Sequence, residues 1–386
     1  MKNLFEGAFG RYLLPAIIIQ SVLIGGGFAT GREIVQYGAK FGALGWLGGI
    51  GILIGFIVMA VLMFEFARKY KAFEYRKLLK ELIGPFWFLF DIVYLLLAIL
   101  IIAIMASATG EILKSTLGLN YWIGVSLITV IVGVLNFYGK GLIERFKTFG
   151  TLALMIGYLI FAALVIGTTW DDAMAVLSSG DTSYMPGEVS IFAVLWTGIL
   201  YVGYNLAVFP AALFTIERQK SRKESVISGI IAGVLMTFPW FLTYFSLMGF
   251  YPSEEVFGAS VPWLVMLQDF PAIVIVIFGI VVGWTLIETS SGMIHAFVDR
   301  MEAQMEEHAN KSLTSTQRGA IAVGTLILAM ILSQVGIIDL ISTGYTAMAY
   351  AMIAVFAIPL LTIGVYKIFF KKDEEVAVEE ADSSNG

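Results

Sequence analysis

The sequence contains no cysteine and only two histidines, His295 and His308. Disulfide frameworks and thiol nucleophiles are therefore excluded, and most transition-metal sites lack ligands. Charge is scarce as well: 14% of the 386 residues are Asp, Glu, Lys or Arg, against roughly 25% in soluble domains. There is no Walker sequence, no His-metal cluster and no nucleophile paired with a base, which argues against an enzyme and against a self-contained nucleotide-driven pump. No filter-like segment of a channel is visible. No cofactor and no nucleic-acid partner are expected.

Apolar residues fill the space these absences leave, at 59% of the chain. A hydrocarbon core about 30 Å thick needs some 20 apolar residues per helix. Ten runs qualify, at about 11–36, 43–67, 86–113, 121–138, 148–169, 189–216, 225–250, 271–298, 319–334 and 337–369. Open strands cannot span lipid and a barrel's alternation is missing, so the runs read as helices. Lys2 and Arg11 precede the first run, which is long and has no small-residue cleavage pattern, so it reads as a retained span.

The basic residues give an independent test, because positive charge is retained on the cytoplasmic side. With the N-terminus inside, all but three of the 24 Lys and Arg residues fall on cytoplasmic segments, the exceptions being Arg32, Lys40 and Lys114. The external connections 170–188, 251–270 and 335–336 carry none. A missed span would scramble this alternation, so ten helices with both termini in the cytoplasm of a cell-membrane protein are expected. The stretch 68–84, with Phe73, Leu78, Leu79 and Leu82 among charges, reads as either a short amphipathic surface helix or a solvated loop. The acidic tail 371–386 is expected to be disordered.

Two spans are interrupted by residues that suit a helix poorly. The first holds Ser21-Val22-Leu23-Ile24-Gly25-Gly26-Gly27-Phe28, in which three adjacent glycines each cost about 0.8 to 1 kcal/mol relative to alanine. They point around the helix rather than along one face, which unwinding requires and packing does not. The sixth holds Gly198, then Tyr201-Val202-Gly203-Tyr204-Asn205, then Pro210. If spans one to five (1–169) and six to ten (189–370) are two halves joined by the external connection 170–188, spans one and six correspond, and an odd number of helices per half makes the halves inverted. Paired interruptions near the bilayer midplane are where transporters place their sites. Gly45, Gly49, Gly51 and Gly55 of the second span read instead as close-packing residues, and Gln20 and Asn136 as helix-packing hydrogen bonders.

These features resemble the amino acid, polyamine and organocation superfamily with its LeuT-like fold, an all-α membrane architecture of ten helices in a five-plus-five inverted repeat with helices one and six discontinuous. Within it the chain looks most like the YkvI-type group of amino acid permeases. The resemblance implies that amides around Ile24, Gly25, Gly26, Gly27 and Phe28 hold a substrate carboxylate. It implies that Tyr201, Val202, Gly203, Tyr204 and Asn205 take the amino group and wall the side-chain pocket. In the eighth span, Leu286-Ile287-Glu288-Thr289-Ser290-Ser291 matches the Thr-Ser pair that ligates sodium in sodium-coupled members. Thr289 and Ser290, at i+3 and i+4 from Leu286, lie beside its carbonyl. The resemblance adds the carbonyls of Ser21 and Ile24 to that shell. It also places an external gate pair at Arg32 and Asp339 and an internal one at Arg11 and Asp299. Glu288, on a different face from Thr289, is a candidate proton carrier or a satisfied structural acid. The function implied is a symporter for a small amino-acid-like solute, with sodium as the coupling ion; proton coupling through Glu288 and a non-transporting solute sensor are the alternatives. Phe28, Tyr201 and Tyr204 lean towards a hydrophobic solute, though a base, a polyamine or a small carboxylate would fit nearly as well.

Overall fold

The computed structural model describes residues 7–138, 140–309 and 312–371. The acidic tail beyond Lys371 and the N-terminal Lys2 lie outside the described residues. Among the described residues every regular element is helical, as lipid demands when each backbone polar group must be satisfied within its own segment. Eight helices among the described residues are long and apolar enough to cross a membrane, and two shorter apolar ones, Phe9–Leu23 and Tyr121–Asn136, fall where the first and fourth spans are expected.

The first span is the most broken. Helix α1 (Leu14–Leu23) starts with Pro15 in its first turn, where a missing N–H costs nothing, and ends as Ile24 leaves the helix at ψ 72° and Gly25 adopts an extended conformation. A four-residue helix α2 (Gly26–Ala29) follows. Gly31, at φ 81°, then turns the chain through a left-handed conformation open mainly to glycine, and α3 (Arg32–Tyr37) begins. The interruption expected at the glycine triplet is therefore present, with a second kink beyond it.

Helix α4 (Gly45–Lys69) packs closely through its glycines: a Cβ on Gly49 would lie 2.5 Å from the Trp240 ring, and one on Gly55 would lie 2.9 Å from Val202. The segment 68–84 contains a true helix, α5 (Tyr75–Ile83), whose Leu78, Leu79 and Leu82 are buried, which decides between the two sequence readings. Helices α6 (Phe88–Leu117), α7 (Tyr121–Tyr138) and α8 (Lys140–Ser179) complete the N-terminal half. Helix α8 bends at Thr169 and continues, so residues 170–179 of the expected external connection are helical.

In the C-terminal half, α9 (Ile191–Asn205) does not unwind at Tyr201–Asn205. It tightens into a 3₁₀ stretch over Leu206–Ala212, around Pro210, before the short α10 (Leu213–Ile216). Proline removes one i→i−4 bond without freeing a full turn, which three adjacent glycines do in the first span. Helix α11 (Arg222–Met248) is followed by two short helices, α12 (Glu254–Phe257) and α13 (Pro262–Met266). Then come α14 (Ala272–Ala309), α15 (Ser315–Leu332), opened by a Thr314–Gln317 capping box, and the long α16 (Ile337–Phe369). Gln20 Nε2 donates to the Leu235 carbonyl and Asn136 Nδ2 to Ser291 Oγ, so both polar side chains tie helices together.

Candidate functional site

The break after α1 opens onto a small central cavity of about 50 Å³. Gly25, Gly27 and Phe28 line it from the broken span, Tyr204 and Asn205 from the end of α9, and Thr289 from α14. These are residues that the sequence singles out on three separate spans. Phe28 is held from behind, its ring 5.4 Å from that of Tyr158, whose hydroxyl donates to the Phe28 carbonyl at 3.3 Å.

The other expected pocket residues do different work. Ile24 is buried but does not line the cavity. Val202 meets Gly55 of α4, and Gly203 lies against Ile353 and Ala349 of α16, so both serve helix packing. Tyr201 is fully buried in an aromatic cluster with Tyr37 and Phe56, and its hydroxyl has no hydrogen-bond partner among the described residues. The expected walling role therefore narrows to Tyr204 and Asn205. One turn of α9 cannot face a single cavity with five consecutive side chains, because successive residues are about 100° apart.

Sequence reasoning misses the charged group at the centre. Glu33, 5% exposed, reaches back from α3 into the cavity, and its Oε2 accepts a 2.7 Å hydrogen bond from the Tyr204 hydroxyl. Its Oε1 stands against the backbone of Gly27, where an added Cβ would be only 2.3 Å away. Tyr345 stacks on Tyr204 with ring centroids 4.3 Å apart and closes this side. The kink at Gly31 is what folds Glu33 over the glycine triplet, and no linear motif announces it. Much of the remaining wall comes from α6, through Tyr94, Leu97, Ala98, Ile101 and Met105, and in sequence these are indistinguishable from lipid-facing residues.

Around the Thr-Ser pair, Ser290 Oγ donates to the Leu286 carbonyl at 2.8 Å, leaving its lone pairs as the acceptor capacity. A Cβ on Gly25 would stand 3.4 Å from Thr289 Oγ1, so Thr289 faces the break in the first span. The Gly25 amide, which would bond Ser21 in a continuous helix, bonds the Leu23 carbonyl instead, and this deprives the Ser21 carbonyl of its normal donor. Glu288 does not line the cavity; it lies against Gly150 of α8 beside Trp284.

Neither expected gate pair forms. Arg32 is buried and its Nη1 donates to the carbonyls of Phe257 and, at 3.2 Å, Ala259, while Asp339 is exposed. Arg11 pairs with Glu224 at 2.7 Å, and Asp299 with Arg318 at 2.8 Å. The folded connection around α12 and α13 brings carbonyl acceptors nearer to Arg32 than α16 brings Asp339. Trp263 of the same connection rests on Gly31, and its backbone amide donates to the Thr30 carbonyl at 3.3 Å.

No family model matches the chain. In Bacillus subtilis (strain 168), a protein described as uncharacterized membrane protein YkvI is 24% identical over 350 residues, covering 88% of this chain and 92% of its own length. A second protein of that organism, uncharacterized protein YyaD, is 24% identical over 229 residues, covering 57% and 62%. Among solved structures, Mhp1 in an inward-facing conformation aligns with a TM-score of 0.56 at 15% identity, covering 94% of this chain and 80% of that one. A Na+-coupled sialic acid symporter in a substrate-bound outward-open state aligns with a TM-score of 0.52 at 14% identity, covering 92% and 86%. The chain is thus similar over most of its length to the membrane protein YkvI, and it has the all-helical, LeuT-like fold of transporters rather than of enzymes.

Proposed function

We propose that the protein is a secondary transporter that moves a small amino-acid-like solute across the cell membrane by alternating access, with sodium as the coupling ion. The observation that carries this reading is the broken first span, whose freed backbone faces both the central cavity and Thr289 of the Thr289-Ser290 pair. Two hydroxyl oxygens and the carbonyls of Leu286, Ser21 and Ile24 offer the hard oxygen donors that a small cation prefers. Ion and solute would share one segment of unwound chain, so occupancy of one site shapes the other. The structural neighbours support alternating access, since they include outward-open and inward-facing states.

The architecture is read as ten spans in two inverted halves, 1–169 and 189–370, with both termini cytoplasmic. The distribution of Lys and Arg and the two shorter apolar helices at positions one and four support it. Arg32, anchored to the 254–261 segment, is assigned to the external closure in place of a pair with Asp339. Proton coupling is the second reading, favoured by the carboxyl groups of Glu33 in the cavity and Glu288 beside α8.

Uptake into proteoliposomes, with sodium and pH gradients imposed separately, tests the proposal. Solute accumulation driven by sodium supports it. Accumulation driven only by a pH gradient transfers the coupling role to a carboxyl group, and binding without accumulation under either gradient makes the protein a sensor.

A further inference from the structure

The chemistry of the central cavity is one-sided. Its lining includes one ionisable carboxylate, Glu33, and no Lys, Arg or His. Among the described residues Glu33 has no basic partner; its hydrogen bond from Tyr204 uses one of about four lone-pair directions that a carboxylate offers. Asn205 adds another acceptor, its Oδ1, while one of its two amide N–H groups is held by the Tyr201 carbonyl at 2.8 Å. An ionised group at membrane depth is costly unless a counter-charge and further hydrogen bonds reach it. A solute carboxylate would bring a second negative charge beside Glu33 with no basic side chain in the lining to offset either. A solute ammonium brings three N–H donors and the missing charge.

We propose that the cavity recognises its solute through an ammonium group seated on Glu33, with a short apolar body against Leu97, Ile101 and Met105, and that a carboxylate on the solute is disfavoured. The inference rests on the reading of this cavity as the solute site and takes the solute to be a small organic amine, amino-acid-like in its ammonium group and side chain but without the carboxylate. The cavity is also small, about 50 Å³, which suits a compact solute. The Gly31 turn makes the arrangement possible, since it places the Glu33 carboxylate against Gly27.

Three probes with one branched skeleton separate the possibilities: isobutylamine, which carries only the ammonium; valine, which carries both charges; and isovalerate, which carries only the carboxylate. Equilibrium binding of radiolabelled isobutylamine to the purified full-length protein in sodium buffer, with the other two as competitors, reads the preference without requiring transport. The expected result is binding of isobutylammonium at least about tenfold tighter than valine, with no competition by isovalerate. Glu33→Gln should weaken it about 30-fold or more, the cost of leaving a buried charge unpaired. Tyr204→Phe, which keeps the carboxylate, should preserve the ranking of the three probes. Valine or isovalerate binding as tightly as isobutylamine, no binding of isobutylamine, or unchanged affinity in a folded Glu33→Gln variant would overturn the proposal. The wild-type ranking decides even if that variant fails to fold. Tight, Glu33-dependent amine binding without accumulation in vesicles would uphold this inference while refuting the transport reading.

Discussion

Replacing Arg300 with methionine tests whether α14 is tied to α6 by a buried ion pair. Arg300 Nη1 donates to Asp91 Oδ1, and the guanidinium lies 3.7 Å from the ring centroid of Tyr94 and 4.2 Å from that of Tyr75. Side-chain exposures of 11% and 2% for Arg300 and Asp91 mean that solvent cannot screen either charge effectively. In Arg300→Met, Asp91 would keep the hydrogen bonds from Gln304 Nε2 at 2.8 Å and from the Tyr75 hydroxyl at 3.5 Å but no counter-charge. Removing one partner of such a pair costs about 3–5 kcal/mol, and the lost stacking on Tyr94 adds about 1 kcal/mol. In Asp91→Asn/Arg300→Met the uncompensated charge is gone, so the double variant should lie only about 1–2 kcal/mol below wild type, chiefly through lost stacking. Reversible unfolding of the purified protein in mixed micelles, for wild type, both singles and the double, measures the coupling. A coupling of at least about 2 kcal/mol is expected. An Arg300→Met cost below about 1 kcal/mol, or additive single effects, would refute the reasoning that this pair is desolvated and interdependent.

Three further outcomes follow from the site and its surroundings. Gly27→Ala puts a methyl group where Glu33 Oε1 stands and should break the Glu33–Tyr204 hydrogen bond, lowering solute binding about tenfold or more in an equilibrium binding assay while the protein still purifies as a folded species. Asp339→Asn should leave solute uptake within about twofold of wild type because Asp339 is exposed, whereas Arg32→Gln, which abandons the Phe257 and Ala259 carbonyls, should reduce it about tenfold or more. Because the chain has no cysteine, single cysteines introduced at Glu188 and at Lys223 give an unambiguous topology test: an impermeant maleimide added to intact cells should label the first and not the second.

How much of this was legible beforehand depends on what a residue's role requires. The break at Ile24–Gly25 is written in the chain, because three adjacent glycines have a local cost that no packing partner changes. The Thr289-Ser290 pair is equally local, set by helical spacing from Leu286. Glu33 was not legible, since its position depends on a second kink at Gly31 and on the Tyr204 hydroxyl, 171 residues away in sequence. The gate pairs failed for a related reason: Arg32 has a long side chain, and its partner is chosen by how the 251–270 connection folds back onto Thr30 and Gly31. Span six shows the limit of punctuation signals, as Gly203 packs against α16 while the helix tightens later, around Pro210.

Sodium-driven solute accumulation in proteoliposomes, compared between wild type and Thr289→Ala, tests the central claim most directly. The account predicts accumulation in the wild type that requires an inward sodium gradient, and loss of that sodium dependence in the variant while solute binding persists at elevated sodium. Accumulation in Thr289→Ala with an unchanged sodium dependence would contradict it.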